Sequence, residues 1–129
     1  MRLAFGIALA IVLAGTCGLR AAEQTCKEYD LTGVWSIQQA NGPLVEITAV
    51  QSGTNLAGAA KSGAVVGTFA GKIEGRDLSF RVDWTNGTAG VYLGEPDDFD
   101  FFSGVSYEAD NKANNTGWKM TAPAKCEAF

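Results

Sequence analysis

Three kinds of side chain in this sequence have the spacing to do chemistry: clustered carboxylates, cysteines, and aromatics strung along alternating segments. The densest acidic group is Glu95-Pro96-Asp97-Asp98-Phe99-Asp100. Clustered carboxylates suit calcium, a hard cation that takes several oxygens. This spacing matches no calcium-loop template, and acids beside a proline are ordinary turn composition, so a solvated loop without metal is expected. Glu46 and Asp83 are the pair to weigh for acid–base hydrolysis of the glycosidase type, but both fall at outward positions of alternating strands. The chain has no histidine, which removes His-based triads and His-ligated metals. No Ser or Cys sits in an activating motif. The expectation is a protein that is not an enzyme and uses no cofactor.

The cysteines point to a compartment. Arg2 precedes an uncharged apolar run over residues 3–15, small residues follow, and the chain turns polar at Glu23-Gln24. This is the layout of a secretory signal peptide, too short to favour a membrane span, so residues 1–22 read as a leader and 23–129 as one domain. The alternative is a lipoprotein signal that leaves a lipidated Cys17, but Thr16 occupies a place where Gly or Ala is usual. Cys17 leaves with the leader, and Cys26 and Cys126 remain near the two ends of the domain. In an oxidising compartment, secreted or periplasmic, they are expected to pair; the alternative is two free thiols. The bridge would close a loop of about 100 residues, worth up to ~4–5 kcal/mol in the chain-entropy picture. It also requires the two ends of the domain to lie side by side, as they do when the first and last strands of a barrel pair.

Without Arg2 and Arg20, eight basic residues remain against fourteen acidic ones, a net charge of about −6. A chain of this charge has no electrostatic footprint for nucleic acid and no polybasic patch for anionic membranes. About 105 residues make one domain.

The elements that must position any site are strands. Leu78, Phe80, Val82 and Trp84 alternate with Ser79, Arg81, Asp83 and Thr85, which gives one apolar face. Asn86-Gly87 follows, a pair suited to a type I′ turn, and a return strand runs through Val91, Tyr92 and Leu93. The same style recurs along the chain. Strands are expected over 33–39, 44–50, 55–60, 65–73, 77–85, 89–94, 99–107 and 117–121, each bounded by turn chemistry, with no helical periodicity. The longest irregular stretch is expected over 109–116. Sixteen glycines serve turns and close strand crossings. Sequential hairpins with short loops favour an all-β, eight-stranded antiparallel up-and-down β-barrel over a Greek-key sandwich.

Four segments then carry a family resemblance. Leu31-Thr32-Gly33-Val34-Trp35 resembles the first strand of the avidin and streptavidin family. Phe80-Arg81-Val82-Asp83-Trp84 resembles its fifth strand, Tyr92-Leu93-Gly94 the aromatic-x-Gly of its sixth, and Trp118-Lys119-Met120-Thr121 the Trp-Lys-x-Thr of its eighth. They fall in the family's order over about 90 residues and imply an avidin-like, calycin-type barrel. The resemblance implies aromatic walls at Trp84, Tyr92 and Tyr107, and places Trp118 where a neighbouring subunit's lid tryptophan would stand. It does not imply biotin binding. Ile37, Ala60 and Gly90 replace polar groups of the family's site, and only Asn41 and Ser62 stand in for the lost donors. A site built on hydrogen bonds loses about 1–3 kcal/mol for each partner removed.

Trp35, Phe80, Trp84, Tyr92 and Tyr107 are therefore expected inside the barrel or at its rim. They either fill it or line a pocket for a small, mostly apolar ligand. The expected ligand-binding set is Trp35, Trp84, Tyr92, Tyr107, Asn41 and Ser62. Phe99, Phe101 and Phe102 anchor the seventh strand or form a contact with a partner. Asn86-Gly87-Thr88 and Asn114-Asn115-Thr116 have the form of glycosylation sequons. The leading expectation is an exported small-ligand binding protein. The alternative is a secreted protein-binding module such as a protease inhibitor, for which residues 22–30 supply the only candidate segment. The sequence leaves oligomeric state open.

Overall fold

Alternation builds the sheet. In the computed structural model, which describes residues 25–129, β3 (Leu44–Ser52) buries Val45, Ile47 and Ala49 and exposes Glu46, Thr48 and Val50. β6 (Asp77–Trp84) buries Leu78, Phe80 and Val82 in the same way. A two-residue period lets each strand give one row of side chains to an interior and the other to solvent. β2 (Gly33–Gln39), β3, β4 (Asn55–Ser62), β5 (Val65–Glu74), β6, β7 (Ala89–Pro96), β8 (Phe102–Glu108) and β9 (Asn111–Met120) pair antiparallel in sequence order. β9 returns to β2 and closes an eight-stranded up-and-down barrel. The closing seam is short: Ile37, Gln38 and Gln39 face Met120, Lys119 and Trp118. The leader over 1–22 and Cys17 lie outside the described residues. No helix among the described residues is long and apolar enough to cross a membrane.

Two further strands were not expected. β1 (Glu28–Asp30) and β10 (Lys125–Ala128) form a two-stranded ribbon apart from the barrel. At three and four residues they are too short to show a period. Cys26 and Cys126 are disulfide-bonded across this ribbon, with Cα atoms 5.8 Å apart. The bridge therefore joins the ends of a cap rather than the first and last strands of the barrel.

The ribbon covers the barrel end that carries the 53–54, 75–76 and 97–101 loops. Tyr29 is buried there, edge-on to Phe102 at 4.8 Å between ring centroids, and its hydroxyl donates to Asp100 Oδ1 at 2.7 Å. Arg76 donates to the carbonyls of Cys26 (2.7 Å) and Pro96 (3.3 Å). The Gln51 side chain accepts from Leu31 N and donates to Tyr29 O. The acidic loop belongs to this closure. Asp97 Oδ1 accepts from the backbone N–H groups of Phe99 (2.8 Å) and Phe101 (3.0 Å), and these donors hold its carboxyl below the ordinary value. Asp100 takes a left-handed φ of 70° and presents its carboxylate to Tyr29. No cluster of three metal-ligating side chains occurs among the described residues.

Three boundaries differ from expectation. The seventh barrel strand starts at Phe102, not Phe99; Phe99 sits in the loop, 76% exposed. The stretch 109–116 is mostly strand, because β9 begins at Asn111. Apart from Ala113 its first half is polar, and so it carries no alternation to read. The 77–85 strand stops at Trp84, and the turn after it is not type I′. Asn86 keeps a negative φ, Gly87 alone is positive at 95°, and Trp84 N donates to Thr88 O. That is a three-residue loop ending in a glycine at positive φ. Asn86 Oδ1 completes it by accepting from Thr88 N and Oγ1.

Candidate functional site

The other end of the barrel is open. It carries the loops at 40–43, 63–64, 85–88 and 109–110, and no ribbon among the described residues crosses it. The interior below is filled by Trp35, Phe69, Phe80, Tyr92 and Trp118, whose ring centroids lie 4.6–6.4 Å apart. An eight-stranded barrel is just wide enough for its side chains to fill, and here the filling stops at Tyr92. Above it lies a cavity of about 340 Å³, within the range of small-molecule pockets.

The floor of the cavity is a three-residue cluster from three strands. Tyr92 (β7) stacks on Phe80 at 4.6 Å and 7° between planes, and donates its hydroxyl to Gln39 Oε1 (β2) at 3.2 Å. Ser106 Oγ (β8) donates to the same oxygen at 3.4 Å. Two hydroxyls on one carbonyl oxygen fix the Gln39 amide, and its Nε2 makes no hydrogen bond among the described residues. Burial pushes the Tyr92 phenol up to about 12, so it stays a neutral donor across the physiological range. Gly90 keeps the floor accessible: a Cβ there would stand 3.1 Å from Tyr92 Cε1.

Trp84 ends the inward row of β6 and forms a wall with Val65 and Pro43. Asn41 and Ser62 border the cavity, and Ser62 Oγ donates to Leu44 O at 3.0 Å. Glu108 is the one ionisable carboxylate on the rim among the described residues, and it accepts from Asn114 Nδ2 at 3.2 Å.

Of the six residues expected to bind ligand, Trp84, Tyr92, Tyr107, Asn41 and Ser62 border this cavity. Trp35 does not. β2 runs from the capped end to the mouth, so Trp35 enters near its start. There its Nε1 donates to Leu31 O at 3.0 Å, and its ring packs on Phe69 and Phe80. The aromatics above it block any path to the opening. Tyr107 borders the rim, but strand parity sets it on the face opposite buried Ser106, in register with Val91, with Lys112 Nζ 5.5 Å from its ring centroid. Trp118 is no lid for a neighbour. It is buried in the barrel, donates to Val105 O at 3.1 Å and faces Phe80 and Tyr92.

Gln39 and Ser106 were missed, as was the rim segment Asn114-Asn115-Thr116. Gln39 was within reach of parity, since Trp35 and Ile37 set the inward row of β2. Ser106 had no such signal, because only its register with Tyr92 brings it to the floor.

A second, larger hollow of about 630 Å³ lies between the ribbon and the loops at the capped end. It offers the carboxylates of Glu28, Asp30 and Glu127, while the Gln51 amide is already engaged with Leu31, Tyr29 and Gly53. The described part of the 22–30 segment is held in the cap by the disulfide, Tyr29 and the Arg76 contact to Cys26, and gives no free strand for a cleft.

The two buried phenols give a pH prediction. Burial first, then the neighbouring Asp100 carboxylate, push Tyr29 up to about 12, like Tyr92. An unfolded tyrosine titrates near about 10. Below that pH both states keep the proton. Between about 10 and about 12 only the unfolded chain loses it, so stability falls as pH rises through that window. Urea midpoints followed alongside tyrosinate absorbance should drop there, and Tyr92→Phe should flatten the drop. A midpoint constant across the window contradicts the assignment.

Comparison of the chain with protein-family models, with curated proteins and with solved structures gives no match.

Proposed function

We propose that this chain is an exported small-molecule binding protein that takes its ligand into the open mouth of the barrel. The observation that carries this reading is the cavity above Tyr92. A barrel packed with aromatics for most of its length is left empty at one end, over a floor whose hydrogen-bonding groups are already oriented. A pocket with apolar walls and a few fixed polar groups is the usual form of a small-ligand site. The polar floor and rim revise the ligand from mostly apolar to amphipathic: an apolar face on Trp84 and a hydrogen-bonding group on Gln39. The disulfide supports an oxidising compartment and, with the leader read over 1–22, export. The segments resembling avidin and streptavidin fall on the start of β2 and on β6, β7 and β9, and we read the barrel as avidin-like in plan without that family's biotin set.

The test is a thermal-shift screen of a library of neutral small molecules. A compound present at 100 times its Kd adds about 2.7 kcal/mol to stability, which raises Tm by several degrees in a domain of this size. Trp84→Ala should weaken binding at least about tenfold and so cut the shift to about half or less, whereas Trp35→Phe should leave it in place. Hits whose shift is unchanged in Trp84→Ala, or no hits at all, count against the mouth as the site.

A further inference from the structure

We infer that the ligand of the mouth is a neutral saccharide, an inference that rests on the mouth being a binding site. Charge narrows the class first. No lysine or arginine among the described residues lines the cavity, so no cation is present to meet a carboxylate, sulfate or phosphate. Glu108 is the only charged group there, and it repels anions.

The polar lining narrows it further. Asn41, Asn86 and Asn114 bring three amides to the rim and Gln39 brings a fourth to the floor. Asn86 Oδ1 already accepts from Thr88 and Asn114 Nδ2 already donates to Glu108, which leaves Asn86 Nδ2 and Asn114 Oδ1 to face a ligand, and Ser106 and Thr116 add hydroxyls. A carboxamide offers a donor and an acceptor on one rigid end. A sugar hydroxyl also donates and accepts, so a ring of amides satisfies adjacent hydroxyls without separating charge. The floor has the matching arrangement. With Oε1 held by Tyr92 and Ser106, both N–H groups of Gln39 remain to donate, while the two hydroxyl oxygens keep lone pairs to accept. One ligand hydroxyl set against this cluster is served in both directions.

The apolar side is single. Among the described residues Trp84 is the one inward-facing aromatic wall, since Tyr107 borders the rim from the outward row; Gly90 and Ala89 lie on the adjoining strand, and Tyr92 has one face covered by Phe80. A planar heterocycle gains most between two aromatic faces. A pyranose has one apolar face of C–H bonds, which packs on the negative face of one aromatic ring, and an edge of hydroxyls. That division matches one tryptophan facing a crescent of amides. The volume of about 340 Å³ admits a small sugar.

Tryptophan fluorescence tests this on the Trp35→Phe protein, where the remaining signal comes from Trp84 at the mouth and Trp118 in the core. The probes are the methyl glycosides of glucose, galactose, mannose and N-acetylglucosamine, with Nile red as a neutral planar non-sugar. At least one glycoside is expected to shift the emission saturably. Gln39→Ala should weaken it at least about tenfold, about 1.4 kcal/mol, and Trp84→Phe, followed by isothermal calorimetry, should retain most of the affinity that Trp84→Ala loses. Saturable Nile red binding that depends on Trp84, with no response to any glycoside, overturns the saccharide class and leaves the binding site standing. Silence from every probe, with no hit in the thermal screen, overturns both. A glycoside response unchanged by Gln39→Ala and Trp84→Ala places the sugar elsewhere and also overturns the inference.

Discussion

Phe80→Ala should cost about 3–5 kcal/mol, the upper range for deleting a buried aromatic, and lower Tm by about 15–30 °C. Phe80 is the hub of the interior. It lies 4.6 Å from Tyr92, 5.0 Å from Phe69, 5.9 Å from Trp35 and 6.0 Å from Trp118, centroid to centroid. Four large rings cannot collapse into the space it leaves without breaking their own contacts, so the void persists. For a domain whose total stability is of the order of 5–15 kcal/mol, this is a large fraction. The same change reaches the site, although Phe80 lines no part of it. Tyr92 loses the ring it stacks on, and the Tyr92–Gln39–Ser106 cluster loses its support. Ligand affinity should therefore fall together with stability. Phe80→Leu, which keeps part of the volume, should cost less on both counts. Urea unfolding followed by near-UV circular dichroism decides the matter; a loss below about 1 kcal/mol means the barrel closes over the gap and the hub reading is wrong.

Loss of the disulfide should act at the opposite end. The Cys26→Ser, Cys126→Ser double variant removes a link between residues 100 apart. Closing a loop of that length limits the unfolded chain by up to about 4.7 kcal/mol, and removal of such bridges from small domains costs about 2–5 kcal/mol. The cap keeps other ties, notably Tyr29 to Asp100, Arg76 to the Cys26 carbonyl, and the Lys27 to Ala128 backbone bond. The barrel should therefore still fold, with a lower urea midpoint and faster amide exchange in β1 and β10. Because the mouth lies at the far end of the strands, ligand affinity at a temperature where the variant stays folded should match the parent. An affinity loss as large as that from Trp84→Ala would show that the two ends are coupled, contrary to this account.

Much of this protein is legible one strand at a time. Val45, Ile47 and Ala49, or Leu78, Phe80 and Val82, declare an inward row because side-chain direction alternates with period two, and that is local geometry. Glycine-marked turns separate the strands, so eight barrel strands in up-and-down order follow from the chain. Pairing of Cys26 with Cys126 follows from there being no third thiol in the domain. What fails to show is whatever carries no period. The ribbon strands are too short, and Asn111 to Thr116 is polar apart from Ala113 because at the mouth both faces meet water.

Where the site stands was decided by closure. All of the inward aromatics look alike in the sequence, yet Trp35 and Trp84 sit at opposite ends, because β2 rises toward the mouth from the capped end and Trp35 lies near its start, whereas Trp84 is the last residue of β6. Tyr107 turns outward because its neighbour Ser106 turns inward, a parity fixed by pairing Ser106 with Tyr92. The floor needs Gln39, Tyr92 and Ser106 together, from strands 53 and 67 residues apart along the chain. Parity tells which side of a strand a residue faces. Only the closing of β9 onto β2, with the β1–β10 ribbon over one end, tells what it meets there and whether the space in front of it stays empty.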